Sequence, residues 1–488
     1  MNNNFKIIET FEGPKYIMDF EQNVINGNAI VELEGVTYID DSDDHIGMPL
    51  IENEDNQLFL SDHGKNAIIK LDADILSKHL LIIGGIGMGK TNTFNFIVNQ
   101  TSKALNNNDI MLIFDTKGDF YKEFGSENDI VISNNESTCI WNIFNELSQE
   151  KLYETSNEIA AMLFAPHVEK SSQSFFPLAA KSIFASTLRA IYRLYSKNTE
   201  NLCEVPSNAL LKDFFLGKCI YKTKNFDDFG NEVDPGMIRN IFSLLGSDPE
   251  EKGSLGYISE ASNDGQTLGV LAELRLVIDE LFIGNFGKKG DFSITKAFRE
   301  RNGKRIFLEY DIVEGNILSP IYSLLVDLAI KESLSPDNNG KRCNSYFIID
   351  EFKLLPNLKH MDDAVNFGRS LGIKFIIGVQ NVSQIKEAYG EDGAMNILSG
   401  FSTTIAYKVS DHATRKYLVE LFGVNRKRTT YMSAIRNRGV IETLERANVV
   451  EEWDILSLDV GECIVRLPNK NNSEASPFFF KMLPYENA

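Results

Sequence analysis

Cysteine is sparse: there are five in 488 residues, an odd number, with no Cys-x-x-Cys pair and no grouping with the six histidines at metal-ligand spacing. This excludes a disulfide-held scaffold, offers no zinc motif, and points to a reduced, cytoplasmic setting. Long apolar runs are also missing. No stretch reaches the roughly 18 residues needed to cross a bilayer, and the N-terminus has neither a basic nor a continuous apolar region. No direct membrane insertion is therefore expected, and any recruitment to a membrane would come through partners. Positive charge is in deficit. With 49 Lys and Arg against 69 Asp and Glu, a net charge of -20 argues against a protein that coats DNA or anionic lipid with its whole surface.

What the sequence does have is enough apolar residue, 43%, to bury a large core. Its length suits either three average domains or one large α/β core carrying an insertion. Residues 1–75 hold short β-branched runs broken by glycine and by the acidic cluster 40–44, and predict a β-rich N-terminal segment. From His79 the grammar changes. Leu80-Leu81-Ile82-Ile83 reads as a buried parallel strand, residues 90–105 as an amphipathic helix, and 110–114 as a second buried strand. Residues 147–280 carry helical periodicity and predict an all-helical insertion. Strand and helix alternation then resumes, with strands at 305–310, 346–349, 373–379 and 403–409 and helices at 321–334, 362–371 and 413–422. A polar Arg/Asn-rich stretch follows residue 425, then a short strand at 462–467. The fold class is thus α/β, with the nucleotide-binding core at 76–146 and 281–488.

Gly84-Gly85-Ile86-Gly87-Met88-Gly89-Lys90-Thr91 fits GxxxxGK[ST] between a predicted strand and a predicted helix. In such a loop the glycines turn backbone N–H groups toward a β-phosphate, Lys90 bridges the β- and γ-phosphates, and Thr91 ligates Mg²⁺. ATP and Mg²⁺ are the expected cofactors. A phosphate loop needs acidic partners at a neighbouring strand end, and Tyr346-Phe347-Ile348-Ile349-Asp350-Glu351 supplies them. Asp350 is expected to hold Mg²⁺ through water and Glu351 to polarise the attacking water, which implies hydrolysis rather than binding alone. Gln380, at the end of the strand 373–379, stands where a γ-phosphate sensor belongs, or else caps the following helix. Arg369 is either an arginine finger for a neighbouring subunit's nucleotide or a solvated helix residue. Asp115, closing the second strand, either faces the nucleotide cleft or forms an ordinary strand-end turn.

Several segments in this order resemble the coupling-protein ATPase family of type IV secretion and conjugation systems, within the FtsK/HerA-like superfamily. They are the run from His79 to Thr91, Phe114-Asp115-Thr116-Lys117-Gly118-Asp119, Trp141-Asn142, Ile349-Asp350-Glu351-Phe352 followed by Gly368-Arg369-Ser370-Leu371-Gly372, Gly378-Val379-Gln380-Asn381-Val382-Ser383-Gln384, and Tyr389-Gly390. The resemblance spans roughly residues 60–467. It implies a RecA-like domain interrupted by an all-helical one, a hexameric ring around a central channel that leads DNA using ATP, and a trans-acting role for Arg369. The phosphate loop reads Gly87-Met88-Gly89 where the family usually has Gly-Ser-Gly. Members also usually begin with transmembrane helices, which have no counterpart here.

One interval runs against the acidic total: residues 408–446 contain nine Lys and Arg and four Asp and Glu. It either lines a pore and contacts phosphates or serves as solvated surface or subunit contact. The leading expectation is a ring-forming ATPase that moves DNA in a conjugation-like, mobile-element or antiphage defence system. The alternatives are an ATPase that recruits or remodels a protein partner without moving DNA, and a nucleotide-dependent assembly switch.

Overall fold

The structure is a computed structural model that describes residues 30–37, 65–197, 202–222, 233–260, 264–313, 315–335, 343–432, 440–468 and 477–485. The acidic cluster 40–44 lies outside the described residues, as do the side chains of 425–445. Two short strands come first, β1 (Val31–Thr37) and β2 (Lys65–Leu71), then a single helical turn and β3 (Leu80–Ile83). Helix α1 (Lys90–Ala104), β4 (Ile110–Asp115), α2 (Asp119–Phe124) and β5 (Ile130–Ile132) follow. Five helices come next: α3 (Leu152–Lys170), α4 (Phe175–Lys197), α5 (Asn208–Phe215), α6 (Met237–Ser247) and α7 (Gly265–Leu281). Alternation resumes with α8 (Ile294–Glu300), β6 (Lys304–Glu309), α9 (Gly315–Leu334), β7 (Ser345–Ile349), α10 (Met361–Phe367) and β8 (Ile373–Val379). The chain continues through α11 (Val382–Ser399), β9 (Thr403–Tyr407), α12 (His412–Phe422), the hairpin β10 (Val424–Met432) and β11 (Val440–Asn448), α13 (Glu452–Ser457), β12 (Glu462–Arg466) and β13 (Pro477–Met482).

Among the described residues eleven strands form one sheet in the order β2-β1-β13-β12-β9-β3-β8-β7-β4-β6-β5. From β9 to β5 all neighbours run parallel; β12, β13, β1 and β2 add antiparallel pairs. The continuous apolar runs of β3, β4, β7 and β8 are buried throughout, as strands covered on both faces must be. Alternate residues feed two separate cores. Leu81, Ile83, Leu112 and Phe114 join the large cluster that includes helices α3–α9, while Leu80, Ile82, Met111 and Ile113 pack with Phe94, Ile97 and Val98 of α1. The mixed α/β class with a helical insertion is therefore observed.

The helical segment is stitched to the sheet domain by buried amides. Asn142 Nδ2 donates to Pro206 O and Gly290 O, and Asn208 Nδ2 to Trp141 O and Phe286 O, each at 2.9–3.0 Å. The buried Glu146 accepts from Trp141 Nε1, Ser293 Oγ and the amides of Ile294 and Thr295 at the start of α8.

Two segments depart from expectation. The stretch after 425 forms the antiparallel β10–β11 hairpin, paired from Val424↔Asn448 to Met432↔Val440. Its β-branched and aromatic residues, Thr429, Thr430, Tyr431, Val440, Ile441 and Thr443, are interleaved with charge, which hid the strand signal. The helix expected over 362–371 is α10 followed by a separate 3₁₀ turn (Gly368–Leu371) that ends on Gly372 at φ 82°.

Candidate functional site

At the carboxyl edge of the parallel strands the chain leaves β3 and turns through residues 84–89 into α1, with Gly89 as its N-cap. The turn is pinned on both sides. The Gly84 amide donates to Val379 O at 3.1 Å at the end of β8, and the Gly85 amide to Lys408 O at 2.8 Å just past β9. Gly87 and Gly89 take φ of 75° and 115°, a region that side chains disfavour. Gly84 is required for a different reason: a Cβ there would lie 2.6 Å from Tyr407 Cβ. Tyr407, at the end of β9, is buried against the loop, and its hydroxyl shares a hydrogen bond with Thr93 on α1. The sequence reading missed this residue, because one tyrosine in an apolar strand carries no sign of what it supports.

Lys90 is buried and its ammonium donates to Gly84 O at 2.5 Å and Gly85 O at 3.1 Å. Burial draws its pKa down while the negative charges of Glu351 and Asp350 push it back up. Thr91 is exposed on the first turn of α1, and the Met88 side chain is partly buried. Because β8 lies between β3 and β7, it brings Gln380 between the loop and the acidic pair. Gln380 Nε2 donates to Glu351 Oε2 at 2.7 Å. Among the described residues the other oxygen, Glu351 Oε1, is buried without a hydrogen-bond partner, with Lys353 Nζ 3.9 Å away. Burial, then repulsion from Glu351, raises the Asp350 carboxyl to about 6 despite the nearby cations of Lys90 and Lys117. A glycine-rich loop opening a helix, one ammonium, one threonine hydroxyl and two strand-end carboxylates fit a polyphosphate with a hard divalent cation. A buried carboxylate oxygen with a lone pair left open fits an acceptor for a water proton.

Two candidates need separate treatment: Asp115, one position beyond the Phe114↔Ile349 pair, stands beside Asp350 and its charge helps to raise that carboxyl, whereas Arg369 lies at the opposite edge of the sheet. Asp115 is buried, and its carboxylate accepts from the backbone amides of Lys117, Phe120 and Tyr121 at 2.9–3.3 Å, so it serves as the turn that starts α2. Its hydrogen bonds are those of the strand-end alternative. Arg369 lies before β8, at the amino edge of the sheet, in an exposed ion pair with Asp74 at 2.9 Å. The seven residues of β8 put about 20 Å between that edge and Gln380. Arg369 therefore does not join its own chain's phosphate loop. His79, at the start of β3, is also structural: Nδ1 accepts from Phe375 N and Nε2 faces Val365 O, and burial lowers its pKa to about 4. Among the described residues no His, Cys, Asp and Glu cluster could hold a metal on protein ligands alone. No described helix is long and apolar enough to cross a membrane.

Comparison with known proteins gives a consistent picture. The chain is 21% identical over 443 residues to coupling protein TraD of Escherichia coli (strain K12), covering 86% of this chain and 56% of TraD. It is 24% identical over 199 residues to protein VirD4 of Rhizobium rhizogenes, covering 39% of this chain and 29% of VirD4. It thus spans about half or less of the curated relatives it matches. Among solved structures, the bacterial conjugative coupling protein TrwBdeltaN70 superposes with a TM-score of 0.64 at 20% identity, covering 85% of this chain and 87% of that one. TrwB in complex with ADP and Mg²⁺ gives 0.62 at the same identity and coverage, so the fold is shared. The sequence pattern of the family described as the type IV secretion-system coupling protein DNA-binding domain matches residues 65–245 and 256–474. The match takes in the phosphate loop, the helical insertion and the acidic strand end together, and the chain belongs to that family.

Proposed function

We propose that this chain is an ATP-hydrolysing motor that moves DNA, working as a hexameric ring in a conjugation-like, mobile-element or antiphage defence system. The observation that carries the hydrolytic part is the Gln380–Glu351 hydrogen bond, which leaves Glu351 Oε1 buried with no hydrogen-bond partner among the described residues, beside the loop that holds Lys90. In this reading the amides of residues 86–89 and the Lys90 ammonium bind the β- and γ-phosphates, while the Gly84 and Gly85 amides hold the loop to Val379 and Lys408. The Thr91 hydroxyl and, through water, Asp350 hold Mg²⁺, which neutralises charge on the transferring phosphoryl group. Glu351 orients the attacking water and takes its proton, and Gln380 fixes the Glu351 rotamer and reports the state of the γ-phosphate.

Arg369 would act on a neighbouring subunit's nucleotide. Its exposed ion pair with Asp74 is worth little and is given up cheaply when another partner is offered. DNA as cargo is supported by family membership and by the basic interval 408–446.

A second reading, in which the ATPase recruits or remodels a protein, is favoured by one surface. On the helical insertion Phe175, Leu178, Tyr257 and Leu268 are exposed, with the Phe175 and Tyr257 rings 6.3 Å apart. The test between the two is ATP turnover by an oligomer of measured mass, with and without single- and double-stranded DNA, using Lys90→Ala as the blank. Strong DNA stimulation confined to the hexamer supports the motor. Turnover indifferent to DNA moves the function to a protein partner.

A further inference from the structure

Glu351 sits where β7 has ended and a short 3₁₀ turn, Phe352–Leu354, begins. A carboxylate at such an exit is only as well placed as the backbone on either side of it. Before it the chain is fixed, because β7 is hydrogen-bonded to β4 on one side and to β8 on the other. After it the chain has left the sheet, and something else must hold the turn.

The segment 378–389 does so. Gly378 is pressed so closely against the acidic strand end that a Cβ there would run into Asp350 O. Two residues on, Gln380 Nε2 donates to Glu351 Oε2 at 2.7 Å. Asn381 then caps α11, its side chain accepting from the Gln384 amide at 2.9 Å. Two helical turns later Tyr389 reaches back to the turn itself. Its ring lies against that of Phe352 with centroids 5.4 Å apart and planes 4° from parallel, and its hydroxyl donates to Leu355 O at 2.6 Å. Burial pushes the pKa of that hydroxyl well up, so it stays a donor at any working pH. Immediately afterwards α11 breaks at Gly390, with φ 75° and ψ 170°. Residues 382–389 are thus a separate rod about 12 Å long. One end holds the carboxylate of Glu351 and the other the backbone that follows it. From the opposite side Ser319 Oγ, on α9, donates to Leu354 O at 3.1 Å.

We propose that Gly378, Gln380 and Tyr389 form one clamp on the acidic strand end, with Tyr389 as the positioning residue that aims Glu351 through the backbone of residues 352–355. The proposal rests on the reading of Glu351 as the group that takes the proton of the attacking water. Stacking on Phe352 would need only a phenyl ring. The hydroxyl adds a fixed direction to the turn, and that direction is what a general base requires.

The test is Tyr389→Phe in the full chain, which keeps the stack and loses the donor, with Ser319→Ala releasing the same turn from α9. ATP turnover is measured with kcat and KM separated, alongside ATP affinity by titration and melting temperature. In Tyr389→Phe kcat falls roughly tenfold, the scale of a small misplacement of a reacting group, while KM and affinity hold. Ser319→Ala shows the same split to a smaller degree. Asn208→Ala, which loosens the helical insertion instead, keeps the wild-type kcat below its melting temperature. In a Glu351→Gln background Tyr389→Phe lowers single-turnover hydrolysis no further, since it acts through that carboxylate. Wild-type kcat in both Tyr389→Phe and Ser319→Ala overturns the clamp, and so does an equal fall with and without the Glu351 carboxylate. Should Tyr389→Phe not fold, Ser319→Ala carries both comparisons. If Glu351→Gln itself turns over like the wild type, the general-base reading falls and the clamp with it.

Discussion

Asp350 offers a sharp thermodynamic test, because the carboxyl that the proposed mechanism needs for Mg²⁺ is a burden to the metal-free fold. Its pKa is raised from 3.8 to about 6, first by burial and next by the Glu351 charge. Between those values the folded chain holds a proton that the unfolded chain has released, so stability falls as pH rises through the window and is flat above it. Roughly two pKa units at about 1.4 kcal/mol each put the cost near 3 kcal/mol at neutral pH. Asp350→Asn removes the charge at nearly constant shape. By thermal melting at pH 7.5 without nucleotide, the variant should be the more stable protein, by up to about 3 kcal/mol less the cost of burying an amide. The difference should shrink steadily toward pH 4, where the wild-type carboxyl is itself protonated. With Mg²⁺ and a non-hydrolysable ATP analogue the order should reverse, since only the wild type gains the metal's contribution. A variant that melts below the wild type at pH 7.5 without ligand, or by a margin independent of pH, would refute the reasoning.

Other consequences are as direct. Gly84→Ala forces a Cβ to 2.6 Å from Tyr407 Cβ and should abolish nucleotide binding, measured by equilibrium titration, while Tyr407→Gly in the same chain, which removes that Cβ, should restore part of it by making room. Asn208→Ala removes a buried amide that bonds Trp141 O, Phe286 O and Ile143 N, and should cost about 2–3 kcal/mol by denaturant unfolding, with the helical insertion becoming protease-sensitive first. The His360–Asp327 pair at 2.9 Å raises the histidine's pKa. Its stabilisation should be full below pH 6.5 and fade as pH rises through the raised value, and Asp327→Asn should flatten that part of the stability profile.

Much of the fold was legible because a parallel sheet leaves a plain record. Strands covered on both faces read as unbroken apolar runs, as in Ile82-Ile83 or Ile376-Ile377, and the glycine-rich turn after β3 marks where phosphate chemistry begins. The pairing of Glu351 with Gln380 was less visible. It depends on β8 lying between β3 and β7, a matter of strand order rather than of local pattern. Tyr407 escaped notice for the same reason: it supports the loop from a segment brought near only by the sheet, and an isolated Tyr has many uses. The β10–β11 hairpin was obscured because its charges mask the alternation by which strands are recognised. Asp115 carries the converse ambiguity, since it stands at a strand end beside Asp350 while its carboxylate also accepts from three backbone amides.

The central claim is that Glu351, held by Gln380 beside the phosphate loop, makes this fold a hydrolase. Glu351→Gln tests it most directly, with ATP affinity measured by titration and phosphate release measured on the same preparation. The account predicts binding within about threefold of the wild type and turnover lower by at least about a hundredfold, the scale of a lost general base. Wild-type turnover in this variant would contradict it.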